Sequence, residues 1–409
     1  MERTSIGLKN RIKHSVINAL FFMDKRKNEI LLESFPDFSC NTYELYKEML
    51  RKGIDKEYSI VWLIHDKELL PVYQSDSFDV IEMNPVGLLK KIQTYRRKYN
   101  ARVVITSNAL IPKFTGPKDQ LHIYLDHGSQ LKDVRIDGKR IAVDCDYMIS
   151  QSEFFVKYHT QQYAVSSAQI LTTGLPRYDQ LYDHYDTLNK VIPNIRDYAK
   201  VICWVPTFRK HADLKRIDCD IDYNFGVPLV YDDNSINRLN RFLSDNNCLL
   251  IIKPHPAQDV SGLVSLNSSN ITVIYSQDLL KHKIQIDEFL AQTDAMITDY
   301  SSIYYDYLLL NRPIAITMDD FSKYEKQKGF VFEHPDEYIK GEYLYTLEDL
   351  MEFINEVCMG IDKCREERAL ASSLMNDYYD KCSAERVLSV ILEKMNTQQG
   401  KYVNTKSKR

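Results

Sequence analysis

Short apolar runs alternate along this chain with longer stretches whose apolar positions recur every three or four residues. The runs at 57–64 (EYSIVWLI), 101–108 (ARVVITSN), 121–126 (LHIYLD), 146–150 (DYMIS) and 168–174 (AQILTTG) have the composition and length of strands. Between them, 42–53 and 85–100 have helical spacing. This alternation predicts a parallel sheet with helices on both faces. A polar segment at 181–199 shows no strand, and the alternation resumes with runs at 200–207, 248–256, 271–276, 295–299 and 313–317. The pattern predicts an α/β protein with two Rossmann-like halves. A first domain spans 29–190 and a second 191–383; a helix at 384–396 returns to the first domain, and a basic tail follows at 397–409.

Residues 1–28 stand apart from this pattern. Arg3, Lys9, Arg11, Lys13, Lys25, Arg26 and Lys27 face only Glu2 and Asp24, and Ile12, Val16 and Leu20 lie four apart on one helical face. A basic amphipathic helix of this kind suits an anionic membrane surface. It equally suits a first helix packed on its own domain with its lysines in water. The 409 residues are 44% hydrophobic and 27% charged, with a net charge of −4, which is enough for two cores and argues against a nucleic-acid partner. The cysteines form no CxxC pair, so free thiols and no metal site are expected. No segment reaches the roughly 18 apolar residues of a membrane span, and charges interrupt the N-terminus where a signal peptide would be apolar. The expectation is a cytoplasmic protein, peripheral on the inner face of the cell membrane. Oligomeric state stays open, a homo-oligomer included.

In open parallel sheets, ligands bind beyond the carboxyl ends of the strands. The residues there include Ser107 and Asn108, His127-Gly128-Ser129, Gly174 to Arg177, Thr207 and Arg209, His255, and Asp299 to Ser302. The set is rich in hydroxyls, histidine and arginine, and suits an anionic phosphate. Asp299-Tyr-Ser-Ser302 stands where a strand meets a helix, so Ser301 and Ser302 can hold a phosphate at the helix start. The plainer alternative is an N-cap worth about 1 kcal/mol. Lys253-Pro-His255-Pro256 follows an apolar strand, and its prolines aim His255 as a phosphate donor; it reads otherwise as a stiff turn. His127, beside Gly128, fits a general base, or else a loop histidine. Asp126 could orient it, although neighbours on an extended chain point opposite ways. Arg177 and Arg209 fit phosphate or a salt bridge. No Walker loop, GxGxxG fingerprint or Asp-x-Asp metal site is present.

Taken in order, these motifs resemble the CDP-glycerol glycerophosphotransferase family of teichoic-acid primases and polymerases. The resemblance rests on His127-Gly-Ser-Gln-Leu-Lys132, Thr173-Gly-Leu-Pro-Arg-Tyr-Asp179, Val205-Pro-Thr-Phe-Arg209, Lys253-Pro-His-Pro256, Thr298 to Asp306, and 319–333 (DDFSKYEKQKGFVFE). It covers roughly residues 30–390. It implies a GT-B-like fold of two Rossmann-like domains facing each other across a cleft. The expected reaction is attack of an acceptor hydroxyl on the β-phosphorus of CDP-glycerol or CDP-ribitol, with release of CMP. His127 would be the base. His255, Ser301 and Ser302 would hold the pyrophosphate, with Thr207, Arg209, Lys253 and Asp299 nearby. Gly128, Ser129, Lys132 and Arg177 would support the acceptor side. The donor would be the only small-molecule requirement, with no cofactor or metal, and the acceptor lipid-linked or saccharide, in teichoic-acid, capsule or related polymer synthesis. This sequence departs from the family at Ser129-Gln130, where Thr-Pro is usual, at Asp126, where an aromatic is common, and at Lys328, where Arg is usual. The alternative is a glycosyltransferase of the same fold acting on a nucleotide sugar.

Overall fold

Parallel strands cannot be joined by tight turns, so each must return through a crossover, usually helical. The computed structural model describes residues 8–73, 78–111, 120–209, 218–255, 258 and 263–406, with backbone alone at 8–14, 264 and 398–406. Arg3, Pro256 and residues 407–409 lie outside that set. The first sheet contains β1 (Lys27–Glu33), β2 (Ser59–Ile64), β3 (Asp79–Glu82), β4 (Ala101–Thr106), β5 (Leu121–Tyr124), β6 (Tyr147–Ser150) and β7 (Ile170–Thr172). Their spatial order is β3-β2-β1-β4-β5-β6-β7, and every neighbouring pair is parallel. The second contains β8 (Lys200–Val205), β9 (Cys248–Ile252), β10 (Ile271–Val273), β11 (Ala295–Thr298), β12 (Ile314–Thr317) and β13 (Glu342–Leu344). Its order is β10-β9-β8-β11-β12-β13, again all parallel. Both sheets start in the middle, run out to one side, then return and run out to the other. The order therefore reverses between β1 and β4, and between β8 and β11, which are the positions where such sheets bind ligands.

The strands are buried on both faces, as all-parallel sheets require. Ile30, Leu31 and Leu32 of β1 and all of β9 are buried. β1, β3 and β13 add to the strands read from the sequence. β1 is the central strand of its sheet, yet its apolar run, Ile30 to Leu32, is short and bracketed by Glu29 and Glu33.

The chain forms two units. One comprises residues up to His127, Arg135–Asp179 and Asp380 onward; the other comprises Gly128–Val134 and Gln180–Tyr379. The short segment Gly128–Val134 thus leaves the half in which the sequence pattern puts it. In the first unit the final helix, Ser383–Lys406, packs on the helix Cys40–Arg51. Asp179 caps its start, accepting the N–H groups of Ser383 (2.8 Å) and Ala384 (2.9 Å). Arg386 Nε donates to the Thr173 carbonyl at 2.8 Å. Gly174 lies beneath this junction with φ +74°, and a Cβ there would stand 2.6 Å from Ser383 Oγ. The Thr-Gly-Leu-Pro-Arg-Tyr-Asp motif therefore owes its glycine and its aspartate to the docking of the last helix.

Gly174→Ala is expected to lower stability by more than about 1 kcal/mol, through positive-φ strain plus the clash. A fall in the urea midpoint of the first unit, with the second unit's transition unmoved, is the result to look for.

Candidate active site

In the first unit, β5 ends at Tyr124 and Asp126 takes a left-handed conformation, φ +53°. That reversal cancels the alternation of an extended chain and brings two consecutive side chains together. Asp126 Oδ1 accepts the backbone N–H of His127 at 2.7 Å and lies 3.0 Å from its ring Nδ1. Tyr163 donates its hydroxyl to Asp126 Oδ2 at 3.1 Å. Burial disfavours the imidazolium, and Arg177 opposes it too, but the Asp126 carboxylate outweighs both and His127 is raised above the ordinary histidine range. Half of the His127 side chain stays open to solvent, while Asp126 is buried. His159 is buried and held neutral, its pKa pulled down to about 4 by desolvation.

Asn41, fully buried in the first turn of Cys40–Arg51, ties two motifs together. Its amide donates to the Asp126 carbonyl at 2.9 Å, and its Oδ1 accepts the Arg177 N–H at 3.2 Å. The guanidinium of Arg177, itself buried, lies 5.7 Å from the Tyr178 ring. At the reversal of this sheet, Thr42 bonds the Glu33 carbonyl (2.8 Å) and the Ser107 hydroxyl (2.6 Å).

In the second unit, the reversal between β8 and β11 is bridged by Asp299, which accepts the Thr207 N–H at 2.9 and 3.1 Å. Arg209 Nη1 donates to Asp299 Oδ2 at 2.8 Å, and Nε and Nη2 donate to Asp320 at 2.6 and 3.1 Å. Tyr300 also donates to Asp320, at 2.8 Å. The rings of Tyr223, Tyr300 and Tyr324 surround the guanidinium at 5.0–5.9 Å. The fork of Arg209, expected to grip phosphate, is thus engaged by two protein carboxylates. It braces the loops after β8, β11 and β12.

The groups left to meet a ligand here are different ones. The Thr207 hydroxyl is buried and has no hydrogen-bond partner among the described residues. Ser302 occupies the cap position of the helix Ile303–Leu308 and makes no side-chain capping bond, so the plain N-cap is not formed there. Ser301 beside it is likewise part-exposed. Lys253 is buried, donates to Ser276 Oγ at 3.0 Å, and is pulled down to about 8 by desolvation. The Phe208 ring has the Lys132 ammonium 4.7 Å from its centroid and the His255 ring at 4.9 Å. Lys132 and Lys328 approach one carboxylate, Asp218, at 3.4 and 3.8 Å. Leu131 to Asp133 pair antiparallel with Gly329 to Val331, which fixes that arrangement; Ser129 in the same segment is buried, and the Gly128 carbonyl accepts from Gln130 at 3.0 Å. Among the described residues no group of three or more His, Cys, Asp or Glu is placed to hold a metal ion.

Residues 15–393 match the family described as CDP-Glycerol:Poly(glycerophosphate) glycerophosphotransferase. The chain belongs to this family. It is therefore a transferase. The teichoic acid glycerol-phosphate primase of Bacillus subtilis (strain 168) is 24% identical over 396 residues, covering 91% of this chain and 94% of that protein. The teichoic acid ribitol-phosphate polymerase TarL of Staphylococcus aureus is 26% identical over 82% of this chain and 58% of its own length. A structure of the wall teichoic acid polymerase TagF superposes with a TM-score of 0.69 at 18% identity, over 96% of both chains, which shows a GT-B-like α/β fold.

Of the residues expected to act in this glycerophosphotransferase, the first unit gathers His127 and Arg177. The second gathers Lys132, Thr207, Arg209, Lys253, His255, Asp299, Ser301 and Ser302. The sequence reading missed Asn41 and Asp218, which stand in no motif, and gave no role to Asp320, although it lies in the quoted segment 319–333. Asp320 follows Asp319 directly beyond β12, and that position was the one signal available.

Arg209→Ala leaves two buried carboxylates unpaired and should destabilise the second unit by about 3–5 kcal/mol. The chain has two tryptophans, Trp62 in β2 and Trp204 in β8. In a Trp62→Phe background, Trp204 fluorescence during urea unfolding reports this loss; an unchanged midpoint would return Arg209 to ligand binding.

Proposed function

We propose that this protein transfers glycerol phosphate from CDP-glycerol to a hydroxyl of a lipid-linked or saccharide acceptor in the synthesis of a teichoic acid or related surface polymer. The observation that carries this reading is the content of the second unit's strand-order reversal. An orphaned buried hydroxyl (Thr207), a buried lysine (Lys253), His255 and the hydroxyls of Ser301 and Ser302, the latter at the helix cap without a capping bond, supply donors suited to a pyrophosphate. Lys132 and Lys328 bring two ammonium groups within 3.4 and 3.8 Å of the Asp218 carboxylate in the same unit. In the reaction, the acceptor oxygen forms a bond to the β-phosphorus while the bond from that phosphorus to the CMP oxygen breaks. The electron pair leaves on CMP, and His127 takes the hydroxyl proton. Such chemistry asks the protein for positioning and charge neutralisation. The ribitol-phosphate polymerases among the relatives keep CDP-ribitol as the second donor to test.

The protein is also inferred to bind peripherally to an anionic membrane. Among the described residues no helix is long and apolar enough to cross a membrane. The helix Leu8–Phe21 has two apolar stripes. Ile17 and Phe21 pack on Tyr99 of the helix Leu88–Asn100, whereas Val16 and Leu20 are exposed, followed by exposed Phe22 and Met23. Leu88 and Leu89 are exposed as well, next to Lys90 and Lys91. One face of this helix packs on its own domain, and the exposed Val16 and Leu20 on the other support the reading that it lies on lipid. Ile12 lies where side chains are not described.

Purified protein with a glycerol-phosphate-terminated acceptor should release CMP from CDP-glycerol, and His127→Ala and His255→Ala should each lower kcat by about 10²–10⁴-fold. Turnover of UDP- or GDP-sugars without CMP release would instead make it a glycosyltransferase. Co-sedimentation with phosphatidylglycerol vesicles should be strong at low salt and weakened in Leu88→Asp/Leu89→Asp; no binding by the wild type sinks the membrane reading, and undiminished binding by the variant removes Leu88 and Leu89 from the surface.

A further inference from the structure

We propose that Asp126 is the positioning residue of His127: it fixes the ring with Nδ1–H as donor and leaves Nε2 to accept the substrate proton. The inference rests on the proposed role of His127 as base, and deepens it. Three hydrogen bonds hold the carboxylate and its loop still. Oδ1 accepts the backbone N–H of His127 and lies 3.0 Å from its ring Nδ1, Oδ2 accepts the Tyr163 hydroxyl, and Asn41 pins the Asp126 carbonyl. The left-handed φ of Asp126 makes the ring contact possible between adjacent residues. A carboxylate on Nδ1 selects the tautomer whose lone pair is on Nε2, and half of the side chain is open to solvent.

The charged and titratable groups around this pair are few. Arg177, from beyond β7, opposes the imidazolium; His159, from the helix Val156–Gln162, is neutral. Tyr163 follows that helix, and Tyr124 ends β5, its phenol kept protonated by burial. Glu33, at the end of β1, is engaged by His65 and by the N–H groups of Asn108 and Ala109. Asp126 is therefore the anion that outweighs burial and Arg177 at His127.

The sign of the effect follows. A base with a raised pKa is protonated, and idle, at low pH, so kcat/KM should rise with pH through a value above the ordinary 6.5 of histidine. In Asp126→Asn, burial and Arg177 remain without the opposing anion, and His127 should titrate lower than in the wild type. The plateau kcat should fall by about 10²-fold or more as tautomer control is lost, with KM for the CDP-alditol unchanged.

The decisive measurement is an NMR titration of isotope-labelled histidine in the full chain without substrate, set beside the pH profile of CMP release. A His127 resonance that titrates high in the wild type and drops in Asp126→Asn supports the proposal. An unmoved resonance overturns it, whatever the activity. If the resonance moves but the acid limb does not, the positioning holds and it is the assignment of His127 as the base that fails. Tyr163→Phe guards against misfolding of the first variant. It removes a donor from Oδ2 and leaves the ring contact, so the limb should stay or rise; a fall overturns the proposal.

Discussion

Each parallel sheet can build outward from its first strand in only one direction at a time, and the chain must then come back to fill the other side. Where it comes back, two neighbouring strands send their following loops to opposite faces, and a crevice is left at their carboxyl ends. β1 and β4 bracket one reversal, and β8 and β11 the other. Ser107 stands at the first and Thr207 and Asp299 at the second, while His127 and Arg177 lie farther along the first sheet, past β5 and β7. The residues just past each strand are the expected ligand positions of such sheets.

The two units fill their crevices differently. In the second, a guanidinium is buried between two carboxylates and three tyrosine rings. An ion triad of this kind contributes little net stability against an apolar equivalent, because desolvation offsets attraction. What it adds is definition, since the loops after β8, β11 and β12 must meet in one geometry for all the charges to be paired. In the first unit the same task falls to neutral groups. The Asn41 amide and the Thr42 and Ser107 hydroxyls join the loops after β4, β5 and β7 through hydrogen bonds of 2.6–3.2 Å. One site is organised around a fixed charge and the other around a titrating imidazole.

Much of this was legible in the residue order, and the omissions have physical reasons. Most strands could be read because a parallel sheet needs runs of buried apolar residues. β1 escaped because its run is short and framed by charges; Glu33 looks like a solvent residue and is in fact fully buried, paired with His65. The motif positions were legible because phosphate chemistry draws on a narrow set of side chains. Their assignment as ligand groups or braces was not, because Arg209 carries the same charge whether it meets phosphate or aspartate. The contact between Asp126 and His127 was open in the sequence, with the rule of alternating side chains against it. A single left-handed residue suspends that rule, and no sequence pattern announced it.

The division of the chain between the units has a consequence for its synthesis. Domains generally fold as they leave the ribosome, the N-terminal one first. Here the first unit begins at the N-terminal end but takes its closing helix from residues after Asp380, while the second draws all of its parts from Gly128 to Tyr379. The unit that is started first is therefore finished last. Until Ser383 and Ala384 emerge to meet Asp179, the apolar face that the last helix covers stays open on the growing chain, although the second unit's sequence is already complete.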